Sequence, residues 1–314
     1  MYNEEDNLQN TLQQIKQEMH NNQIDDYEII FVNDGSTDNT WSKAKELEKK
    51  EEKLKVIGYS LNQGRGKALR TGFDYATGDI IITIDFDLSY EVTHIGRMIN
   101  YLYENPIIDI VLVSAYMKGG KTIGVSPFRL LISKLGNYLY RYAFSQKIYT
   151  STCVVRAYRK QAIKNLYLHS DDKEIHLEII SKALANNSKI AEIPGILTKR
   201  KKGISKFKFK ATSISHLLFL IHEKPFLIFG ILGFVLFVIG FFASAILIYT
   251  RFGENEIFNQ SFISRISSPS FVLMLFLFGF QFIGLGFLGV QNSFLKRELF
   301  KIQSMLKKHE NKQE

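Results

Sequence analysis

The chain has 314 residues, 40 basic and 31 acidic, for a formal net charge of +9. That length holds one large domain or two smaller ones, and the charge suits an anionic partner: nucleic acid, an anionic membrane surface or a phosphorylated substrate. One cysteine, Cys153, excludes an internal disulfide framework and is compatible with a reducing cytoplasm. Residues 1 to 20 are polar and acidic, so no secretory leader is expected there.

The first predicted element is a helix in "NEEDNLQNTLQQIKQEMHNN", with Leu8, Leu12, Ile15 and Met19 at helical spacing. "YEIIFVND" follows as a short buried strand and "STDNTWSKAKELEKKEEK" as a capped, charged helix. "LKVIGYS" is a second strand, "GRGKALRTGFDYAT" a helix and "DIIITID" a third strand. This β-α-β-α-β rhythm implies an α/β domain with a mostly parallel sheet. Ligands in such sheets bind beyond the carboxyl ends of the strands, where "NDGSTD" and "DFD" fall. The chain begins "MYNEEDN" at what reads as a strand-to-helix turn. Either the sheet lacks the strand expected before it, or the sequence starts downstream of the natural start. Trp41 is expected to pack on the sheet.

Two later stretches, Pro225 to Thr250 and Ile266 to Leu295, carry no charge. Each exceeds the ~20 apolar residues that span a bilayer core. "KRKKGISKFKFK" precedes the first with seven basic residues, and more basic residues follow the second. The connecting loop is neutral. Positive-inside counting puts both termini in the cytoplasm and the loop outside. The expected organisation is a soluble domain over 1–210 and a juxtamembrane segment over 211–224, amphipathic or a plain lead-in. Spans follow at 225–250 and 269–292, separated by an external loop at 251–268, with a basic tail at 293–314.

Three stretches carry chemistry. Asp85 and Asp87 at a strand end offer two hard oxygen ligands to one Mg²⁺ or Mn²⁺, although turns favour aspartate anyway. Asn33 and Asp34 in "VNDGSTDNT" read as receivers of a nucleotide's base and ribose, or as an ordinary capped helix start. "NQGRGKA" offers Arg65 and Lys67 at a helix start, an anion site or a plain basic loop. The histidines show no metal-ligand spacing, and Cys153 reads as a small buried residue.

In order, Tyr2-Asn3-Glu4, "NDGSTD", "NQGRGKA", "DFD" and "RKKGISK" resemble the inverting family-two glycosyltransferases of GT-A fold, of the polyprenyl-phosphate hexose synthase type. The resemblance covers residues 1 to about 210, and the two C-terminal spans match the layout of many members. It implies that Tyr2, Glu4, Asn33, Asp34 and Arg65 hold the donor nucleotide and that Asp85 and Asp87 bind the metal. Arg200 and Lys206 would lie near the donor diphosphate and acceptor phosphate. Arg129, Ser133 and Asn137 of "FRLLISKLGN" would face the acceptor phosphate. Glu178 matches a recurrent family glutamate with no role assigned. Departures are Asn33 for the first acidic position of "DDGS", Ser89 for a polar residue that is often glutamine, Ala115 for arginine, Thr150 for aspartate and Val154 for glycine. They put the mannose identity of the donor in doubt more than the reaction class.

The implied activity is transfer of a hexose from a nucleoside-diphosphate sugar to dolichyl or undecaprenyl phosphate, at the cell membrane, with the catalytic domain cytoplasmic. Partners are the donor, the lipid acceptor and the membrane, with no nucleic acid; a homo-oligomer is left open. A phosphate acceptor, with a second pKa of about 6, needs no dedicated base. Alternatives are a non-catalytic or altered-acceptor membrane relative and a transferase building a cell-surface polysaccharide.

Overall fold

The computed structural model describes residues 1–144, 146–198, 224–252 and 268–310. Arg200, Lys206, nearly all of the juxtamembrane segment, most of the connecting loop and the last four residues lie outside them.

Helix α1 (Leu8–Asn21) buries Leu8, Leu12, Ile15 and Met19, the stripe that its spacing requires. Strand β1 (Ile29–Asp34) runs to α2 (Thr40–Glu48), then β2 (Leu54–Tyr59), α3 (Arg65–Tyr75) and β3 (Ile80–Thr83). β1 and β2 are parallel, with Ile29 opposite Leu54 and Asp34 opposite Tyr59. At the start of the chain Met1 lies alongside β1: its ammonium donates to Val32 O at 2.7 Å, and its carbonyl accepts from Asp34 N at 2.9 Å. Trp41 does not pack on the sheet. It is exposed, with Lys45 Nζ 5.1 Å from its ring centroid.

The second half continues with α4 (His94–Glu104), β4 (Ile110–Ser114), β5 (Lys121–Ile123), α5 (Pro127–Ala143), β6 (Arg156–Arg159), α6 (Lys160–Lys164), α7 (Ile175–Ala185), β7 (Ile190–Pro194) and β8 (Ile196–Thr198). The order β3-β6-β4-β7 forms a four-stranded sheet, and β1-β2 and β5-β8 each form a separate two-stranded one. β4 is buried at every position, so it reads as an unbroken apolar run, as a strand covered on both faces must. β6 is antiparallel to both β3 and β4, while β4–β7 and β5–β8 are parallel. Side-chain periodicity reports which face is buried and carries no strand direction, so this inversion is invisible in the sequence.

Helices α8 (Ile231–Phe252), entered through a π-helical turn at Phe226–Gly230, and α9 (Pro269–Glu310) are long and apolar enough to cross a membrane, by length and composition. α9 has 42 residues and continues without a break through the stretch expected to be a separate tail after 292. Contacts divide the chain into two units, Met1–Lys208 with Arg297–Glu314, and Phe209–Lys296.

Phe86, between the two aspartates, packs into the first core beside Phe31, with centroids 4.8 Å apart and planes at 70°. Removing it leaves a void in that core without removing either carboxylate. Phe86→Ala is expected to lose about 2–4 kcal/mol of stability, read as a lower denaturation midpoint of the detergent-solubilised protein.

Candidate active site

The site is built from turns at the carboxyl ends of β1, β2 and β3. Asn3, in left-handed backbone (φ 54°), locks the first turn onto the one after β1. Its amide donates to Ser36 Oγ at 3.1 Å, and its side chain exchanges bonds with Thr37, including Thr37 N to Oδ1 at 2.9 Å. Glu4 N donates to Thr40 Oγ1 at 2.8 Å. The Tyr2–Glu4 and Asn33–Asp34 segments are thereby brought together.

Asp34 is buried, and its carboxylate braces the next loop. It accepts from Gln63 N at 2.9 Å and Gly64 N at 3.1 Å, and from the Asn62 side chain at 3.0 Å. In this structure the carboxylate braces the 62–64 loop. Asn33 differs: its Oδ1 is buried and has no hydrogen-bond partner among the described residues. A buried acceptor in that state carries a desolvation cost of about 1–3 kcal/mol, which a donating group of a ligand would relieve.

The anion site expected at "NQGRGKA" is altered. The amides of Gly66 and Lys67 at the α3 start both donate to Asp171 O, at 2.7 and 3.2 Å. Those amides are committed, and the exposed Arg65 and half-buried Lys67 side chains are what remain for an anion.

Asp85 and Asp87 flank a turn closed by Leu88 N donating to Asp85 O at 3.1 Å. Leu88 has φ 49°, a rare conformation for a branched side chain and of the kind held in place at functional sites. Phe86 is anchored in the core, and its carbonyl accepts from Thr11 Oγ1 at 3.0 Å. Asp87 Oδ1 accepts from Ser89 N at 3.0 Å. Among the described residues no three His, Cys, Asp or Glu side chains gather as a metal cage. Two carboxylates on a fixed turn fit a divalent ion that takes its other ligands from water and phosphate oxygens, the usual habit of Mg²⁺. Ser89 O also accepts from Thr198 N at 2.9 Å, so β8 ends beside the carboxylate turn, two residues before Arg200.

The expected acceptor helix is α5. Arg129 lies in its first turn. Tyr116 OH donates to Ser133 Oγ at 2.8 Å. Asn137 is buried; its Oδ1 accepts from Ser151 N at 2.7 Å and its Nδ2 donates to Ser133 O at 2.9 Å. The Oδ1 end ties α5 to the loop at Ser151, and the Nδ2 end bonds within the helix. The loop it grips reaches β3 through Thr83 Oγ1, which donates to Val154 O at 2.6 Å, two residues before Asp85. One loop, 149–154, thus joins α5 to β3.

Several contributors escaped the sequence reading. Arg156 is fully buried and donates to three carbonyls, Cys153 O at 2.7 Å, His176 O at 3.0 Å and Ser151 O at 2.7 Å. Its signal was a charge inside the apolar run "VVRAY". Glu192 accepts from Tyr149 N at 2.7 Å and Thr150 N at 2.8 Å; burial pushes its carboxyl above the usual range despite those bonds. Thr150 bonds Ser114 Oγ at 2.7 Å. Burial pushes the Cys153 thiol up to about 12, so it stays protonated and unreactive. His94 Nε2 accepts from Ile196 N at 3.4 Å and Nδ1 lies 2.6 Å from Glu91 O, a pattern that needs the neutral ring with its proton on Nδ1. On α5, Phe128, Leu131, Leu135 and Tyr138 are 57–65% exposed and lie three, four and three residues apart, which puts them on one helical face.

The family profile for glycosyl transferase family 2 matches residues 1–167. The chain belongs to that family. It is 33% identical over 211 residues to a dolichol-phosphate mannosyltransferase of Pyrococcus furiosus, covering 67% of this chain and 58% of that protein. It is 29% identical over 267 residues to an undecaprenyl-phosphate 4-deoxy-4-formamido-L-arabinose transferase of Pectobacterium carotovorum, covering 84% and 77%. The chain therefore spans under two thirds of the Pyrococcus protein's length. Among solved structures, glucosyl-3-phosphoglycerate synthase from Mycobacterium tuberculosis in complex with UDP has a TM-score of 0.52 at 17% identity, covering 71% of this chain and 77% of that one. Its complex with Mn²⁺, UDP and glucosyl-3-phosphoglycerate has a TM-score of 0.50 at 16% identity, covering 69% and 76%. The fold of this family-2 glycosyl transferase is the expected GT-A-like α/β fold, followed by two long apolar helices.

His176 gives a test of the interior. It is buried, and neither ring nitrogen has a hydrogen-bond partner among the described residues. Burial first, then the charges of Arg156 and Arg65, hold its pKa well below the ordinary value. A depressed folded pKa gives stability that is complete above the unfolded value of about 6.5 and lost as the pH falls toward the folded one. Each such group costs up to about 1.4 kcal/mol per pH unit across that window. Thermal unfolding at pH 7 and pH 5 is expected to show a shallower pH dependence in His176→Leu than in the wild type.

Proposed function

We propose that this chain is a membrane-bound inverting glycosyltransferase that moves a sugar from a nucleoside diphosphate to a polyprenyl phosphate. The observation that carries this reading is the 149–154 loop, bonded to Asn137 of α5 on one side and to the strand before Asp85 on the other. That loop links α5, the proposed acceptor helix, to the strand that leads into the proposed diphosphate-binding turn. The donor nucleotide would rest against Tyr2–Glu4 and Asn33, with Arg65 toward its diphosphate. The relatives' names support a polyprenyl-phosphate acceptor, the first naming a mannosyl and the second a formamido-arabinosyl transfer. A hexose is the sugar we propose.

In the proposed reaction an oxygen of the acceptor phosphate attacks the anomeric carbon from the face opposite the leaving group. A C–O bond forms to the lipid phosphate, and the bond to the nucleoside diphosphate breaks with its electron pair. The acceptor is already largely dianionic near neutral pH, so no proton has to be removed and no general base is required. Mg²⁺ or Mn²⁺ held by Asp85 and Asp87 would supply Lewis-acid neutralisation of the diphosphate. Arg65, with Arg200 and Lys206 from the basic stretch after Thr198, would add positive charge around it. Arg129 and Ser133 would orient the acceptor. The exposed apolar stripe of α5 supports a lipid-borne acceptor, because it gives that helix a face suited to the membrane interface. Positive-inside counting supports a cytoplasmic catalytic domain.

Incubation with labelled nucleotide sugars, a polyprenyl phosphate and Mn²⁺ tests the reading. The wild type is expected to make a chloroform-soluble sugar phosphate, and Asp85→Ala to lose at least about a hundredfold of that rate, several kcal/mol of transition-state stabilisation. A wild type that makes no lipid-linked sugar from any hexose, hexosamine or aminopentose donor would sink it. Leu131→Lys with Leu135→Lys is expected to raise KM for the lipid several-fold while leaving KM for the donor unchanged, because it places two charges on the proposed membrane face.

A further inference from the structure

The loop Tyr167–Asp172 belongs to none of the motifs discussed above, yet it forms one wall of the Asn62–Arg65 turn. Its Asp171 carbonyl is the atom that takes the Gly66 and Lys67 amides. Gly64 and Gly66 are pressed against it so closely that an added Cβ would lie 2.4 Å from Asp171 O at position 64 and 2.2 Å from Ser170 O at position 66. Gly64 also has φ +98°, open to glycine and strained for other residues. Arg70 adds an ion pair to Asp171 and a bond to Leu168 O at 3.4 Å.

This loop has no ladder of its own to hold it. Two of its main-chain donors are taken by one side chain. Glu178, in the first turn of α7, accepts from His169 N at 2.9 Å through Oε1 and from Ser170 N at 2.8 Å through Oε2. Lys182, 3% exposed, donates to Glu178 Oε1 at 2.7 Å and also to Tyr167 O. Phe300, near the end of α9, covers the Lys182 ammonium, with its ring centroid 4.8 Å away. A chain of contacts therefore runs from Glu178 through Ser170 and Asp171 to Gly66, and from Gly64 to Asp34.

We propose that Glu178 is a positioning residue for the donor: by fixing residues 169 and 170 it sets the wall against which the Asn62–Arg65 turn, and so the Arg65 charge, is placed for the nucleoside diphosphate. The inference deepens the proposed function and rests on its assignment of that turn to the donor. It makes Glu178 act through two backbone amides and the carbonyl that follows them, with no contact to the sugar or the lipid.

The glutamate and its lysine separate this role from plain support of the fold. Lys182→Met removes the ion pair and the bond to Tyr167 O but leaves the carboxylate on both amides. Glu178→Gln removes one amide acceptor and the ion pair. Gly66→Ala drives a methyl group into Ser170 O and disturbs the same wall from the other side. The full chain in detergent is titrated with UDP and with GDP, each with Mn²⁺, by calorimetry, and unfolding of each variant is followed in parallel. Lys182→Met is expected to unfold at lower temperature and to bind the preferred nucleotide within about twofold of wild type. Glu178→Gln and Gly66→Ala are expected to bind it at least about tenfold more weakly, the scale on which a small misplacement of a binding group is felt. Equal weakening in Lys182→Met and Glu178→Gln would reduce Glu178 to a stabilising residue and overturn the inference. So would wild-type affinity in a folded Glu178→Gln or, should that variant not fold, in Gly66→Ala. A wild type that binds neither nucleotide would overturn the donor reading and the inference with it, whereas wild-type affinity confined to the variants overturns the inference alone.

Discussion

Three loops around the site are each held by one carboxylate that accepts two successive backbone N–H groups. Asp34 takes Gln63 and Gly64, Glu178 takes His169 and Ser170, and Glu192 takes Tyr149 and Thr150. The device answers one constraint. A loop that lines a polar cleft cannot leave its main-chain donors unpaired, and a carboxylate removed from water must be hydrogen-bonded to be tolerated. Each solves the other's problem, and charge-assisted bonds of this kind are roughly twice as strong as neutral ones. The three braces point to the same centre: the first two converge on the Gly64–Gly66 turn, and the third holds the loop that joins α5 to β3.

The same constraint explains why arginines sit where they do. The proposed site for a diphosphate and a phosphate monoester would have to be net positive locally, yet the braces bring negative charge into it. Arg156 is buried beside the 151–153 carbonyls, Arg70 pairs with Asp171 and Lys182 with Glu178.

The order of strands and helices over the first 85 residues was legible in the sequence, because each element there has its own periodicity and its own turn chemistry. Two aspartates at the end of an apolar strand were legible for a related reason: a buried strand tolerates charge only where chemistry or pairing compensates for it. Arg156 offered the same signal in "VVRAY" and went unread. The backbone partners of Asp34 and Asn137 were not legible, since they lie in loops distant in sequence, 62–64 and 151. The inverted β6 was hidden because alternation of side chains is blind to direction. The α5 stripe was present in the spacing of Phe128, Leu131, Leu135 and Tyr138 and was passed over in favour of the polar residues between them.

Glu178 and Glu192 show how one bonding pattern gives two electrostatic outcomes. Burial acts first on both and raises both. At Glu178 the Lys182 ammonium and the Ser170 amide outweigh it and hold the carboxyl below the usual range. At Glu192 two amides, Ser114 and the more distant Arg156 do not, and the carboxyl stays above it. Glu178 therefore adds stability that is complete above the unfolded value of about 4.3 and fades as the pH falls through its folded value. Glu192 does the reverse: its contribution is complete below that same value and is lost as the pH rises through its raised one. At neutral pH the 167–172 loop is held by a carboxylate whose charge favours folding, and the 149–154 loop by one whose charge opposes it. The bonding pattern alone therefore does not fix how pH acts on a loop; the ammonium beside the carboxylate does.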